Sequence, residues 1–305
     1  MTLAIITSPT CDLHEMGDGH PESPLRLDAI RKHLRAFAHG FSPEYLDAPV
    51  ASQAQLGMVH GTDYIRSVFA TAPEEGYSEL DPDTWMNRHS LTAALHAAGA
   101  AVLAVDRVMS GKNHAAFCSV RPPGHHSERN RAMGFCLFNN VAVAAAHALE
   151  KWSLQRVAIV DFDVHHGNGT QDIFEDNPAV MLCSTFQSPL YPYPGTGRTP
   201  EHIVNLPLPS GTDGTQYRKV VTEKLLPALD AFRPELVLFS AGFDAHIDDP
   251  LANLRLLEQD YAWITREVRA IALRHAQGRI VSTLEGGYAL GALGRSVVAH
   301  LQELG

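Results

Sequence analysis

The stretch RVAIVDFDVHHGNGT (156–170) decides the fold. It opens on an almost unbroken apolar run and closes on carboxylates, adjacent imidazoles and glycines. A strand that is apolar nearly throughout has both faces covered, the condition of a parallel sheet packed between helices. Similar runs recur at 3–8, 115–120, 180–185, 235–241 and 279–284, each followed by a turn. Helical patterns occupy 24–37, 90–109, 140–152, 214–232, 259–275 and 291–304. Strands alternating with helices imply βαβ crossovers, and so predict an α/β protein with a mostly parallel sheet. Pro24 suits a first helical turn, where its missing N–H would have had no partner. No internal repeat, low-complexity tract or Ser/Gly-rich linker interrupts residues 1–305, and a single domain is expected.

The polar residues gather where the strands end. RPPGHH (121–126), DFDVHHGN (161–168), AGFDAH (241–246) and LEGGY (284–288) each follow the apolar part of a strand. In open parallel sheets ligands bind outside the carboxyl ends of the strands, so the four clusters are expected to converge on one pocket. Alternate side chains of an extended segment share a face, which puts Asp161, Asp163 and His165 together. Such groups repel and desolvate one another unless a cation joins them. Asp163 and His165 are candidate ligands for zinc or ferrous iron, and Asp244, at the end of the 235–241 strand, is the natural third. Two carboxylates and one imidazole leave coordination positions open for water and substrate. His125 and His126 follow the stiff Pro122-Pro123-Gly124. A carboxylate such as Asp161 could orient one ring and raise its basicity, and Asn168 could orient the other without adding charge. The glycines before Tyr288 suggest a bend close to a ligand, with the phenol able to donate to a developing oxyanion. A packed tyrosine is the competing reading of GGY alone.

Composition narrows the function classes. Lys plus Arg is 24 against 34 Asp plus Glu, a net charge of −10. Phosphates would repel that sign, which argues against nucleic acid and anionic membranes as partners. No unbroken apolar run approaches the ~18–20 residues of a membrane span, and the first residues lack a secretory pattern. The four cysteines, Cys11, Cys118, Cys136 and Cys183, are scattered, as expected of reduced thiols in a cytoplasmic protein.

Together, HPESPLR (20–26), RPPGHH (121–126), GFCLFN (134–139), DFDVHHGNGT (161–170), PGTG (194–197), SAGFDAH (240–246) and LEGGY (284–288) resemble the zinc-dependent histone deacetylase family of the arginase–deacetylase superfamily. They span nearly the whole chain in the family's order. Asn168, where class I members carry Asp, makes the chain similar to class II and bacterial deacetylase-like proteins. The resemblance implies a three-layer α/β/α domain with a mostly parallel eight-stranded sheet, and a zinc hydrolase acting on N-acetyl amides. Carried across by position, Asp163, His165 and Asp244 would be the zinc ligands. His125 and His126 would handle the protons of the activated water and the leaving amine, with Asp161 and Asn168 as their respective partners. Tyr288 would be the oxyanion donor. Phe135 and Tyr193 would form the channel walls, and the Gly134 carbonyl would accept the scissile amide N–H.

The resemblance also implies two structural potassium ions. The inner would use Asp161, carbonyls of Asp163, His165 and Thr185, and Ser184; the outer, carbonyls near Phe174, Asn177, Val180 and His202. Asp81 and Asp83 both qualify as a rim carboxylate. Arg26 matches an arginine beneath the site associated with acetate exit, a position that a packed structural arginine fits nearly as well. By the same resemblance Leu251 would lie at the channel mouth, where a polyamine-selective relative carries Glu. The implied substrate is an acetylated protein or peptide, or a small acetylated amine such as an acetylpolyamine. Two other classes compete. A binuclear manganese ureohydrolase would want another carboxylate where Asn168 stands, and a silent acetyl-lysine-binding module would be expected to lack Tyr288, a metal ligand or a tandem histidine.

Overall fold

The computed structural model describes residues 2–37, 42–193 and 199–305. Its strands, in chain order, are β1 (Leu3–Thr7), β2 (Glu44–Asp47), β3 (Tyr77–Asp81), β4 (Thr84–Asn87), β5 (Ala115–Cys118), β6 (Val157–Asp161), β7 (Val180–Gln187), β8 (Ile203–Leu208), β9 (Leu236–Ala241) and β10 (Ile280–Leu284). Eight of them form one sheet in the order β2-β1-β5-β10-β9-β6-β7-β8, every pair parallel. The other two, β3 and β4, make a separate antiparallel hairpin.

Every residue of β5, β6, β7, β9 and β10 is buried, so both faces of the sheet centre are covered. Helices Ser90–Met109 and Asn140–Lys151 pack on each other; the first also contacts β1, β5 and β10, the second β6 and β9. Helices Leu25–Phe37, Glu258–His275 and Leu290–Leu304 form a second packed group. The result is the α/β/α layering expected from the sequence.

The structure differs from the sequence reading at several points, among them the β3–β4 hairpin and helix Thr62–Thr71, which that reading does not mark. The edge strands β2 and β8 escape it because β2 mixes half-buried with exposed residues and β8 is interrupted by half-buried and exposed ones and carries Pro207, so neither has the continuous apolar signal of central strands. The segment read as one helix over 214–232 is α-helical over Gly214–Val220 and Leu226–Phe232, with a π turn at Val221–Leu225 between them. Pro227 has no N–H to donate to Glu223, so the regular ladder cannot run through this point. Helix Ser90–Met109 is long and apolar enough to cross a membrane by length and composition, although Thr92, His96, Asp106 and Arg107 keep its apolar run from being unbroken. Here its alanines are buried in the core.

The sheet order brings the motifs together. The strands that precede the four polar clusters, β5, β10, β9 and β6, are consecutive neighbours. Their carboxyl ends therefore face one place although the segments are scattered through the sequence.

Candidate metal centre and active site

Asp163, His165 and Asp244 are brought together at the ends of β6 and β9, with one ligand atom from each lying within 4.8 Å of the others. His165 Nδ1 lies 3.0 Å from Asp163 Oδ1 and 3.2 Å from Asp244 Oδ2. Both carboxylates are completely buried. Asp244 Oδ1 accepts the Val164 N–H at 2.9 Å, but Oδ2 receives no hydrogen bond. Burial opposes a charged ring at His165, yet the two carboxylates outweigh it and lift His165 to about 10. The cluster therefore demands positive charge, and its two carboxylate oxygens and one imidazole nitrogen suit a divalent transition metal. Gly286 makes the close approach possible: a Cβ there would sit 2.0 Å from Asp244 Oδ2.

The tandem histidines stand beside this cluster, with ring centroids 4.1 Å apart. His125 Nδ1 pairs with Asp161 Oδ2 at 2.8 Å, and its Nε2 is 3.7 Å from Asp163 Oδ2. His126 Nδ1 pairs with Asn168 Oδ1 at 2.7 Å. The Asn168 amide is fixed in turn, since its Nδ2 donates to Glu128 Oε1 at 2.8 Å. The unlike partners separate the two rings. Burial opposes charge on His125, but Asp161 and Asp163 overcome it and hold the ring well above its ordinary value. At His126 burial acts first, the neighbouring His125 and His165 add to it, and the ring is held well below.

His125, His126 and His165 line a cavity of about 220 Å³ together with Asp83, Gly134, Phe135, Leu190, Tyr191, Leu251 and Tyr288. Burial raises the Tyr288 phenol well above its ordinary value, against the opposing pull of Arg26, so it is an O–H donor at neutral pH. Phe135 stands edge-on to Tyr288, with centroids 6.1 Å apart. Gly134 and Phe135 both have positive φ, 58° and 69°, and a Cβ on Gly134 would lie 2.3 Å from the His126 ring. The Gly134 N–H donates to Asp83 Oδ1 at 2.9 Å, and its carbonyl accepts from the Cys136 thiol at 3.2 Å.

One wall is a correction. Tyr193 is 73% exposed and does not line the cavity; Tyr191 does, edge-on to His126 with centroids 5.3 Å apart. The chain turns between the two, with the Tyr193 N–H donating to the Leu190 carbonyl at 2.8 Å and Tyr193 at φ +56°, and residue type alone could not distinguish two tyrosines. PGTG (194–197), next in sequence, lies outside the described residues. Of the two rim carboxylates, Asp83 lines the cavity, whereas Asp81 is paired with Arg131 at 2.8 Å.

Several residues expected at the potassium sites are neighbours in the fold. Asp161 and Ser184 are register partners on β6 and β7, adjoining Thr185, and the buried Ser184 Oγ has no hydrogen-bond partner. The Phe174 carbonyl accepts from the Asn177 N–H at 2.9 Å and His202 Nε2 at 3.1 Å, and the Asn177 carbonyl accepts the Val180 N–H.

Three buried carboxylates around the site have no role that the sequence motifs assign. Glu285 Oε2 accepts the N–H groups of Gly124 and His125, at 2.7 and 3.1 Å, tying the tandem-histidine loop to the Tyr288 loop. Asp249 accepts backbone N–H groups from the Tyr288 loop. Glu22 lies between Arg26 and Arg121, with all three fully buried. Glu22 and Glu285 stand inside quoted motifs, but nothing local distinguishes a buried carboxylate from a solvated one.

A parallel α/β fold with a carboxylate–imidazole cluster, two differently partnered histidines and a phenol around one narrow cavity defines a class of hydrolases. The histone deacetylase domain model matches residues 20–304. Protein slr0245 of Synechocystis sp. is 40% identical over 99% of both chains. The mouse polyamine deacetylase HDAC10 is 39% identical over 93% of this chain and 44% of its own length. The crystal structure of the HDA15 HD domain superposes with a TM-score of 0.92 at 34% identity, over 99% of this chain and 89% of that one. The chain belongs to the histone deacetylase family, a family of amide hydrolases.

Proposed function

We propose that this protein is a zinc-dependent amidohydrolase that removes acetyl groups from N-acetylated amines, with acetyl-lysine in proteins or peptides as its preferred substrate. The observation that carries the reading is the three-ligand cluster beside two histidines with unlike partners, at one narrow cavity. Asp163, His165 and Asp244 would hold zinc, or ferrous iron in its place. A cation held there supplies Lewis-acid polarisation of an acyl oxygen and acidification of water.

The protein's own groups do the rest. His126, bonded through Nδ1 to a neutral amide, keeps Nε2 as a proton acceptor. His125, bonded to a carboxylate, keeps a proton that can pass to the leaving nitrogen, without which an alkylamine could not depart. Tyr288 donates its O–H to the acyl oxygen as negative charge develops there. Phe135 and Tyr191 enclose an unbranched aliphatic stem and exclude water. Potassium in the inner site would give the lone Ser184 Oγ a partner. Four buried free cysteines favour a reducing compartment, the cytoplasm.

An acetylpolyamine is the second reading. It is favoured by the Asp83 carboxylate at the cavity and by the mouse relative's name. Leu251 speaks for the peptide, because it offers a distal ammonium no charge. The test compares kcat/KM for an acetyl-lysine peptide and N-acetylputrescine with the zinc-loaded protein, the chelated protein and Leu251→Glu. The peptide is expected to win in the wild type, chelation to abolish both activities, and Leu251→Glu to move the ratio about tenfold or more towards the polyamine, the worth of one charge-assisted contact. A wild-type preference for N-acetylputrescine overturns the substrate assignment, and full activity after verified metal removal overturns the chemistry.

A further inference from the structure

The loop carrying Tyr288 is built from residues that give it little stiffness. Gly286 and Gly287 precede the tyrosine, and Gly287 has φ of +120°. Glycine is needed at 286 because a Cβ would strike the Asp163 and Asp244 carboxylates. The same pair of glycines leaves the following phenol with few intrinsic backbone restraints. The loop is instead held from outside. The Gly286 N–H donates to Asp163 Oδ2 at 2.8 Å and the Gly286 carbonyl accepts the Phe243 N–H at 2.9 Å. Arg26 donates to the carbonyls of Glu285 and Gly287. The N–H of Tyr288 itself goes to Asp249.

Asp249 is 6% exposed, and its two oxygens accept three backbone N–H groups. Oδ2 receives Tyr288 N–H at 2.7 Å and Ala289 N–H at 3.2 Å; Oδ1 receives Leu251 N–H at 3.0 Å. Leu251 and Tyr288 both line the cavity, one on the segment after β9 and the other on the segment after β10. One carboxylate thus clamps two wall segments of the cavity without itself lining it. We infer that Asp249 is a positioning residue for the amide hydrolysis: through the Tyr288 N–H it sets where the phenol stands, and through the Leu251 N–H it sets the width of the mouth opposite. The inference rests on the amidohydrolase reading of the same cavity.

A purely structural role has a physical basis that the experiment must separate. Ala289 is the N-cap of helix Leu290–Leu304 and offers no side-chain cap, so Asp249 also serves that helix from a distance. In Asp249→Asn, one oxygen still accepts, but the amide NH₂ faces an N–H where a carboxylate oxygen had been. The test is a cycle with the zinc-loaded protein: wild type, Asp249→Asn, Tyr288→Phe and the double variant, each assayed for kcat and KM well below its own melting temperature. If Asp249 acts through the phenol, Asp249→Asn lowers kcat about tenfold or more with KM within about threefold, yet changes kcat less than about twofold once the phenol is gone. Asp249→Glu supplies the same comparison should the Asn variant fold poorly, since it keeps the charge but moves it by one methylene. Equal losses of kcat in the two backgrounds, or no loss beside a lowered melting temperature, overturn the inference and leave the functional reading intact. A zinc-loaded wild type inactive on every acetylated amine overturns both.

Discussion

Glu22→Gln is the substitution whose cost the structure specifies most closely. The Glu22 carboxylate is completely buried, as are the guanidinium groups of Arg26 and Arg121 on either side of it. It accepts from Arg26 Nη1 at 3.1 Å and from Arg121 Nε and Nη2 at 2.5 and 2.6 Å, a bidentate pair. Burial alone would raise this carboxyl, but Arg121 and then His14 hold it well below its ordinary range. The amide of Gln has nearly the same shape, so no cavity opens and the change is electrostatic. It leaves two buried cations facing each other with no anion between them, and arginine cannot shed its charge by deprotonation. Removing one partner of a buried ion pair typically costs about 3–5 kcal/mol, and Glu22 serves two cations, so that range is expected here.

The arginines also have backbone duties. Arg121 donates to the carbonyls of Cys11 and His14, and Arg26 holds the Glu285 and Gly287 carbonyls on the loop that presents Tyr288. A shift of either guanidinium should therefore lower activity as well as stability. Equilibrium urea unfolding at pH 7, read as a midpoint change at constant slope, measures the first effect; kcat under saturating substrate measures the second. A loss of stability below about 1 kcal/mol, the level of an exposed pair, would show that the cluster is not the desolvated ionic unit described here.

Two further outcomes follow from the geometry. Tyr288→Phe should lower kcat by about 10²–10³ with little change in substrate binding, the usual cost of one oxyanion donor; steady-state kinetics under chemistry-limited conditions decide it, and a change within about twofold would mark the phenol as structural. Burial depresses His300 to about 3, and its ring nitrogens already pair with Thr265 and Ser282 hydroxyls. Between pH 6.5 and about 3 the unfolded chain therefore binds a proton at this residue that the folded chain does not, and the His300 contribution to stability falls as pH falls, by about 1.4 kcal/mol per unit. Urea unfolding of wild type and His300→Gln from pH 7 to 4.5 should show the wild type losing its advantage along that slope, whereas parallel curves would refute the linkage.

The amino-acid sequence determined the parallel α/β fold, because strands covered on both faces must be apolar nearly throughout and those of this sheet centre are, with polar residues confined to Asp161, Ser240, Ser282 and Thr283 near their carboxyl ends. It also determined that the polar clusters stand at strand ends, since RPPGHH, DFDVHHGN, AGFDAH and LEGGY each begin where an apolar run stops. The edge strands were hidden for the converse reason: with one side unpaired, β2 and β8 need no continuous apolar run. What only the tertiary structure decided is which distant groups meet. The order β5-β10-β9-β6 joins Asp163 to Asp244, Glu285 to His125 and Asp249 to Tyr288, and strand order is a property of global packing that no local pattern encodes. Tyr191 and Tyr193 make the same point on the smallest scale. Both are aromatic and both precede a proline, yet the path of the loop turns one ring into the cavity and the other into water.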